Sequence, residues 1–268
     1  MTRGTRAGLV LLAALAAIAV LGPLLAGSPY FQANLLTEAL RPPSAAHWLG
    51  TDQFARDVLA RFAAGARNSL GIASLAVLVA TSLGSVIGLL AGSADGFANS
   101  ALRRLIDVGL ALPRVIVLLV LIAATGRLST PALAVVIGLT GWPGMARLVR
   151  GETLRLRHAP YVAAARALGA TPRRVLFRDI FPGTLAPMLV AATLGVADAI
   201  LLEAGLSFLG LGLPLPEPSW GGMLLDAREY LGQAPWLLFV PAAGLVLATS
   251  AATLLGEALR RSLQPDSR

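Results

Sequence analysis

The chain has 268 residues, 56% of them hydrophobic and only 13% charged, with a mean hydropathy of +0.74. Soluble domains carry about a quarter charged residues, so this chain has too little polar surface to cover itself in water, and a bilayer is its expected solvent. The net charge is +8 with no cysteine, which excludes a disulfide scaffold; every basic residue is an arginine, and without lysine there is no standard P-loop to grip ATP.

Spans of about 20 apolar residues cross a hydrocarbon core of about 30 Å, and on that measure the chain reads as an all-α, six-span integral membrane bundle. The first span, 7–27, follows Arg3 and Arg6. It exceeds the usual apolar stretch of a secretory signal, so it reads as an uncleaved anchor. Residues 28–68 follow on the outer side, starting Pro-rich at Pro29, Pro42 and Pro43. There Phe54, Val58 and Phe62 recur every four residues, which predicts an amphipathic helix lying on the membrane surface or against the bundle.

The second span, 69–92, carries Gly84, Gly88 and Gly92 on one face, a small-residue stripe for close helix packing inside the subunit or onto a partner. The third, 106–125, contains Pro113 and is expected to kink there. The fourth is 131–148. The fifth, 184–211, ends at an irregular turn over Gly210–Gly212, and the sixth is 235–255. Between these two lies a second outer segment, with Pro214, Pro216 and Pro218 before a short helix over 220–231. The chain thus divides into an anchor and outer segment, 1–68, and a five-span core, 69–268.

Arginine placement orients the bundle. With the N-terminus inside, Arg103, Arg104, the run from Arg147 to Arg178, Arg260, Arg261 and Arg268 all fall inside as well. The positive-inside rule therefore predicts both termini in the cytoplasm. A pI near 11.4 also fits a nucleic-acid reader, but arginines alternating with apolar blocks fit membrane topology better, and nucleic acid is not an expected partner.

The cytoplasmic loop 149–183, VRGETLRLRHAPYVAAARALGATPRRVLFRDIFPG, is longer than two packed spans require. Tyr161–Leu168 is Ala-rich and helix-favouring, and Gly169 suits the left-handed position that ends a helix. Thr171 and Pro172 restart one as N-cap and first residue, and Pro182 stops or bends it at membrane re-entry. The smooth Ala face admits close approach of another surface. A basic loop that only anchors to anionic lipid accounts for the same residues, and composition leaves both readings open.

Residues 161–169 and 180–182, YVAAARALG and IFP, resemble the EAA signature of ABC importer permeases. Residues 47–67, HWLGTDQFARDVLARFAAGAR, and 203–224, EAGLSFLGLGLPLPEPSWGGML, resemble the dipeptide/oligopeptide/nickel branch, in its DppC/OppC-like half. The resemblance implies half of a heterodimeric pore, served by a second homologous permease, two cytoplasmic ATP-binding subunits and an extracytoplasmic solute-binding protein. Cargo would be short peptides, with nickel or glutathione-like solutes as alternatives. ATP and Mg would belong to the partner ATPases, leaving no cofactor or catalytic residue here.

The same resemblance makes Tyr161, Ala163, Ala164, Ala165, Arg166, Leu168, Gly169 and Pro182 the ATPase-coupling residues. Ala163 replaces the motif Glu, Phe181 displaces the motif Leu, and Ala55 stands where a Gly is expected.

Charges inside a span are functional candidates because each costs about 2.5–3.5 kcal/mol at the bilayer centre. Asp107 has Arg103 four residues back and reads as a helix-end pair. Glu203 lies in a stretch the family shares, with a path-lining and a structural role both open. Arg114 and Asp198 replace residues the family keeps small or apolar. Helix rise puts Arg114 roughly 15 Å beyond Arg104 and Asp198 roughly 21 Å beyond Thr184, within reach of one long side chain, so a pair across the bundle competes with separate exposure to the path.

His47 and His158 fall on opposite sides of the membrane, so no His metal site is expected. A secondary transporter with midplane broken helices and a non-transporting scaffold remain as other classes; neither accounts for the loop.

Overall fold

The computed structural model describes residues 3–126 and 128–263; their regular structure is all helical, apart from one isolated antiparallel bridge between Thr51 and Asp57. In chain order the helices are α1 (Arg3–Leu25), α2 (Leu35–Glu38), α3 (Val58–Ser93), α4 (Gly96–Ala111), α5 (Arg114–Thr125), α6 (Thr130–Arg157), α7 (Pro160–Ala167), α8 (Pro172–Arg174), α9 (Phe181–Phe208), α10 (Trp220–Ala227) and α11 (Trp236–Leu263). A π-helical turn, Val175–Ile180, joins α8 to α9, and a 3-10 turn follows α10.

Four helices are long and apolar enough to cross a membrane: α3, α6, the continuous Pro172–Phe208 and α11. The pair α4 and α5 makes a fifth if its broken halves count as one span. Arg6–Gly22 of α1 is a shorter apolar helix packed against α11 and α3.

Several expectations need correcting. The separate amphipathic helix on the outer side does not form. Asp57 caps a helix that starts at Val58, its Oδ1 accepting the Ala60 N–H at 3.0 Å, and nothing stops that helix before Ser93. Phe54 lies in the preceding turn and is exposed, whereas Val58 and Phe62 are buried. The same continuity carries α3 through the division at 68/69.

The third span is not one kinked helix but two, bent by 82°. Leu112, before a proline, is driven out of the helical region to ψ 132°, and Pro113 has no N–H to continue the ladder. The fourth helix runs nine residues past its expected end, to Arg157, which shortens the cytoplasmic loop. Pro182 neither stops nor visibly breaks the chain path. The π-turn before it hands the Phe181 N–H to Leu176 O, widening the helix where the ring would otherwise strike the carbonyl four residues back.

Helices α3 and α6 share the most extensive seam in the bundle. A Cβ on Gly84 would sit 2.7 Å from Met145 Cβ, one on Gly88 2.6 Å from Ala146 O, and one on Gly92 2.5 Å from Thr153 Cβ. Of the two uses open to this stripe, packing within the subunit is the one found. In hydrocarbon, where lipid tails are as apolar as leucine, such backbone approach and van der Waals contact hold helices together.

Candidate functional site

Three sets of residues carry the charge and polarity that a span would otherwise avoid. The first lines a cavity of about 300 Å³ among α3, α5, α6 and α9, walled mainly by small side chains such as Ala76, Ala80, Gly144 and Ala192. Arg114 enters it from the break before α5. Its Nη1 donates to Asp198 Oδ2 at 2.5 Å, its Nη2 to Ile137 O at 2.9 Å and its Nε to Thr140 Oγ1 at 3.2 Å. Gly141 leaves the space, since a Cβ there would lie 2.9 Å from Arg114 Nη2. The structure thus joins the two residues that helix rise placed at matching depths. Asp198 stays 64% exposed against 28% for Arg114, so the pair presents its carboxylate to the cavity.

Glu203 belongs elsewhere. It is fully buried near the C-terminal end of α9 and does not line that cavity. Ser207 Oγ donates to its Oε1 at 2.6 Å and Ser69 Oγ to its Oε2 at 3.1 Å. Ser69 in turn accepts the Trp220 N–H at 3.2 Å, and Trp220 Nε1 donates to Phe62 O at 3.2 Å while its indole stacks on the Phe62 ring. Of the two roles open for Glu203, the surroundings match the structural one.

The two outer stretches, 47–67 and 203–224, therefore meet in space. Asp52 accepts the Phe54 and Arg56 N–H groups and pairs with Arg56 Nε at 2.7 Å, and Arg61 bridges Asp52 and Asp226. Burial pushes the Asp226 carboxyl above its usual range, opposed by the nearby Arg61. Ala55 sits within this turn at φ +54°, the left-handed region that glycine occupies without penalty, which gives a physical reason for the expected Gly. Sequence reading missed Ser69, Ser207, Ser219 and Trp220 as members of one network. A serine four residues after Glu203, one helical turn away, was the available signal.

The third set is the loop between α6 and α9. Val162 on α7 is buried against Leu156, Val175 and Ile180, which moors the helix to the bundle. Tyr161, Ala163, Ala164 and Leu168 are exposed, Leu168 at 89%. Ala165 is half-buried and Arg166 exposed. Gly169, at φ +83°, closes α7, with its N–H on Arg166 O and the Ala170 N–H on Ala165 O, the paired bonds of a Schellman end. Thr171 then caps the next helix by accepting the Arg174 N–H. Pro182 lies in the first turn of α9, away from the exposed face of α7. Among the described residues no cluster of His, Asp or Glu has the makings of a metal site.

A multi-pass helical bundle with a short helix displayed on one end is the architecture of a membrane transport subunit. The family of binding-protein-dependent transport system inner membrane components matches residues 84–268, and the chain belongs to it. It is 38% identical over 258 residues to the dipeptide transport system permease protein DppC of Alkalihalophilus pseudofirmus, covering 96% of this chain and 84% of that one. It is 37% identical over 262 residues to the oligopeptide transport system permease protein OppC of Bacillus subtilis, covering 97% and 85%. With the glutathione transport system permease protein GsiD of Pectobacterium atrosepticum it shares 38% over 236 residues, covering 88% and 77%. Among solved structures the MetNI methionine ABC transporter in an inward-facing conformation shares the fold, with a TM-score of 0.61 at 19% identity, covering 75% of this chain and 94% of that chain.

Proposed function

We propose that the chain is one permease half of an ABC importer for di- and oligopeptides, with six spans and both termini in the cytoplasm. A second homologous permease completes the pore, two cytoplasmic subunits bind and hydrolyse ATP with Mg, and an extracytoplasmic binding protein delivers cargo. The chain itself binds no cofactor and breaks no bond. The observation that carries this reading is the loop. An eight-residue helix is moored by Val162 and capped by Gly169, with Ala163, Ala164 and Leu168 facing outward. A smooth face of that kind fits a groove on an ATPase, and Ala163 leaves the contact to shape rather than to the usual carboxylate.

Arg114 and Asp198 stand on the translocation path in this scheme, while Glu203 keeps the outer end closed-packed. Alternating access follows when closure of the ATPases moves α7, and the continuous Pro172–Phe208 helix carries that motion to Asp198. Glutathione-like cargo is the second reading, favoured by the identity to GsiD equalling that to DppC.

The test is ATPase activity of the complex, reconstituted in nanodiscs with its neighbouring subunits and given binding protein with peptides, glutathione or nickel. Stimulation by loaded binding protein is expected, and the stimulating cargo names the substrate. Ala164→Arg should abolish that stimulation while the complex still assembles; failure of the wild type to assemble with any ATPase would overturn the proposal.

A further inference from the structure

Arg166 was expected to face an ATPase, but it follows Val162 by one helical turn and so shares the side of α7 turned toward the bundle. There it lines a second cavity, of about 400 Å³, between the end of α3 and the loop. Three guanidiniums, from Arg157, Arg166 and Arg173, stand around it with a single carboxylate, Asp95. Asp95 is already engaged: Arg157 Nη2 donates to its Oδ2 at 2.6 Å, and Arg157 Nη1 donates to Ser93 O at 3.3 Å. Among the described residues neither Arg166 nor Arg173 makes an ion pair, so the cavity carries uncompensated positive charge. Its remaining wall is apolar, formed by Val175, Leu176, Phe177 and Ile180, and Phe177 is 57% exposed.

We propose that this cavity binds an anionic phospholipid of the inner leaflet, its phosphate held by Arg166 and Arg173 and its acyl chains leaving over Phe177. Guanidinium forks suit phosphate oxygens, and basic pockets between helices on the cytoplasmic side take anionic head groups. A free phosphate or an acidic side chain would satisfy the charge but leave the exposed Phe177 ring at the cavity mouth without a partner. A bound lipid ties α7, through Arg166, to the ends of α3 and α6, through Ser93 and Arg157, so it sets how stiffly the docking helix is held. The placement of this face at the inner leaflet rests on the proposed orientation; lipid binding is read without any transport step.

The complex is reconstituted in phosphatidylcholine nanodiscs with and without phosphatidylglycerol, and lipid retained on the chain is measured by native mass spectrometry. Saturable retention of phosphatidylglycerol over phosphatidylcholine is expected, weakened roughly tenfold or more in Arg166→Gln/Arg173→Gln and largely restored in Arg166→Lys/Arg173→Lys. Equal retention by the Gln variant overturns the site. Displacement of the lipid by inorganic phosphate alone overturns the role of the apolar wall. Should the Gln variant fail to assemble, the wild type decides, because no preference for phosphatidylglycerol overturns the proposal. A complex that retains the lipid yet moves no peptide would overturn the importer reading and leave this one standing.

Discussion

The two ends of the bundle handle charge in opposite ways. At the end opposite the loop Asp52, Arg56, Arg61 and Glu203 are all buried, each with partners from its own chain, although Arg56 Nη2 and Arg61 Nη1 are left without one. At the loop end Arg155, Arg166, Arg173, Arg174 and Arg178 lie on the surface, and among the described residues Arg166 and Arg173 pair with no carboxylate. Internal satisfaction of buried polar groups fixes one arrangement and is costly to disturb. Unsatisfied surface charge is cheap in water and available to partners. One end is therefore built to hold its shape and the other to be held by something else.

The sharpest way to break the contrast is at the end opposite the loop. Trp220→Ala removes a fully buried indole that touches Phe62 and Ser69, and such truncations cost about 3–5 kcal/mol. The thermal midpoint of the complex should fall steeply, and more than in Leu168→Ala, which leaves the packing within the chain intact. Next comes the membrane pair. Arg114→Asp or Asp198→Arg alone juxtaposes like charges, at a cost of about 2.5–3.5 kcal/mol for each uncompensated ion. Uptake should be lost in each and recovered in the double reversal, and absence of recovery would show that the pair is not what matters.

A smaller effect sharpens the contrast in the other direction. Ala55→Gly relieves the left-handed strain in the outer turn, worth about 1–2 kcal/mol for a non-glycine residue, offset by glycine's extra freedom in the unfolded chain. A modest rise in thermal midpoint is expected. The smallest effect concerns pH. The hydrogen bond from Arg157 holds the Asp95 carboxyl below its ordinary range. Its stabilising contribution is complete above the unfolded value of about 3.9 and fades only as pH falls through the depressed one. The difference in melting between wild type and Asp95→Asn should therefore stay constant from about pH 7 to about pH 5.

Much of this was legible in the sequence where a local rule decides the outcome. Gly169 ends a helix and Thr171 starts one because capping depends on a few neighbouring residues. The pairing of Arg114 with Asp198 was among the readings open, but the helix-rise count behind it ran through the Leu112–Pro113 break and owes its agreement to the length of the Arg side chain. The failures lie where an outcome depends on what is not nearby. Nothing between Arg61 and Ser69 says whether an amphipathic outer segment and an apolar span are one helix or two, because both patterns are helical and no breaker intervenes. Pro113 signals a break, but the 82° size of the bend exceeds a simple proline kink and is not encoded by Pro113 alone; Gly109 meets Pro143 of α6 closely on the near side of it. The meeting of 47–67 with 203–224 is a long-range contact that a single sequence does not encode in any local pattern.

The break at Leu112–Pro113 reaches beyond geometry. Helix α5, at about 18 Å, is too short to cross a core of about 30 Å by itself, and the break leaves the carbonyls at the end of α4 beside a stretch where Leu112, Val115 and Ile116 are exposed. Only protein or trapped water satisfies such groups. In the proposed heterodimer the second half would supply that cover, so a chain made without it would leave the break facing lipid.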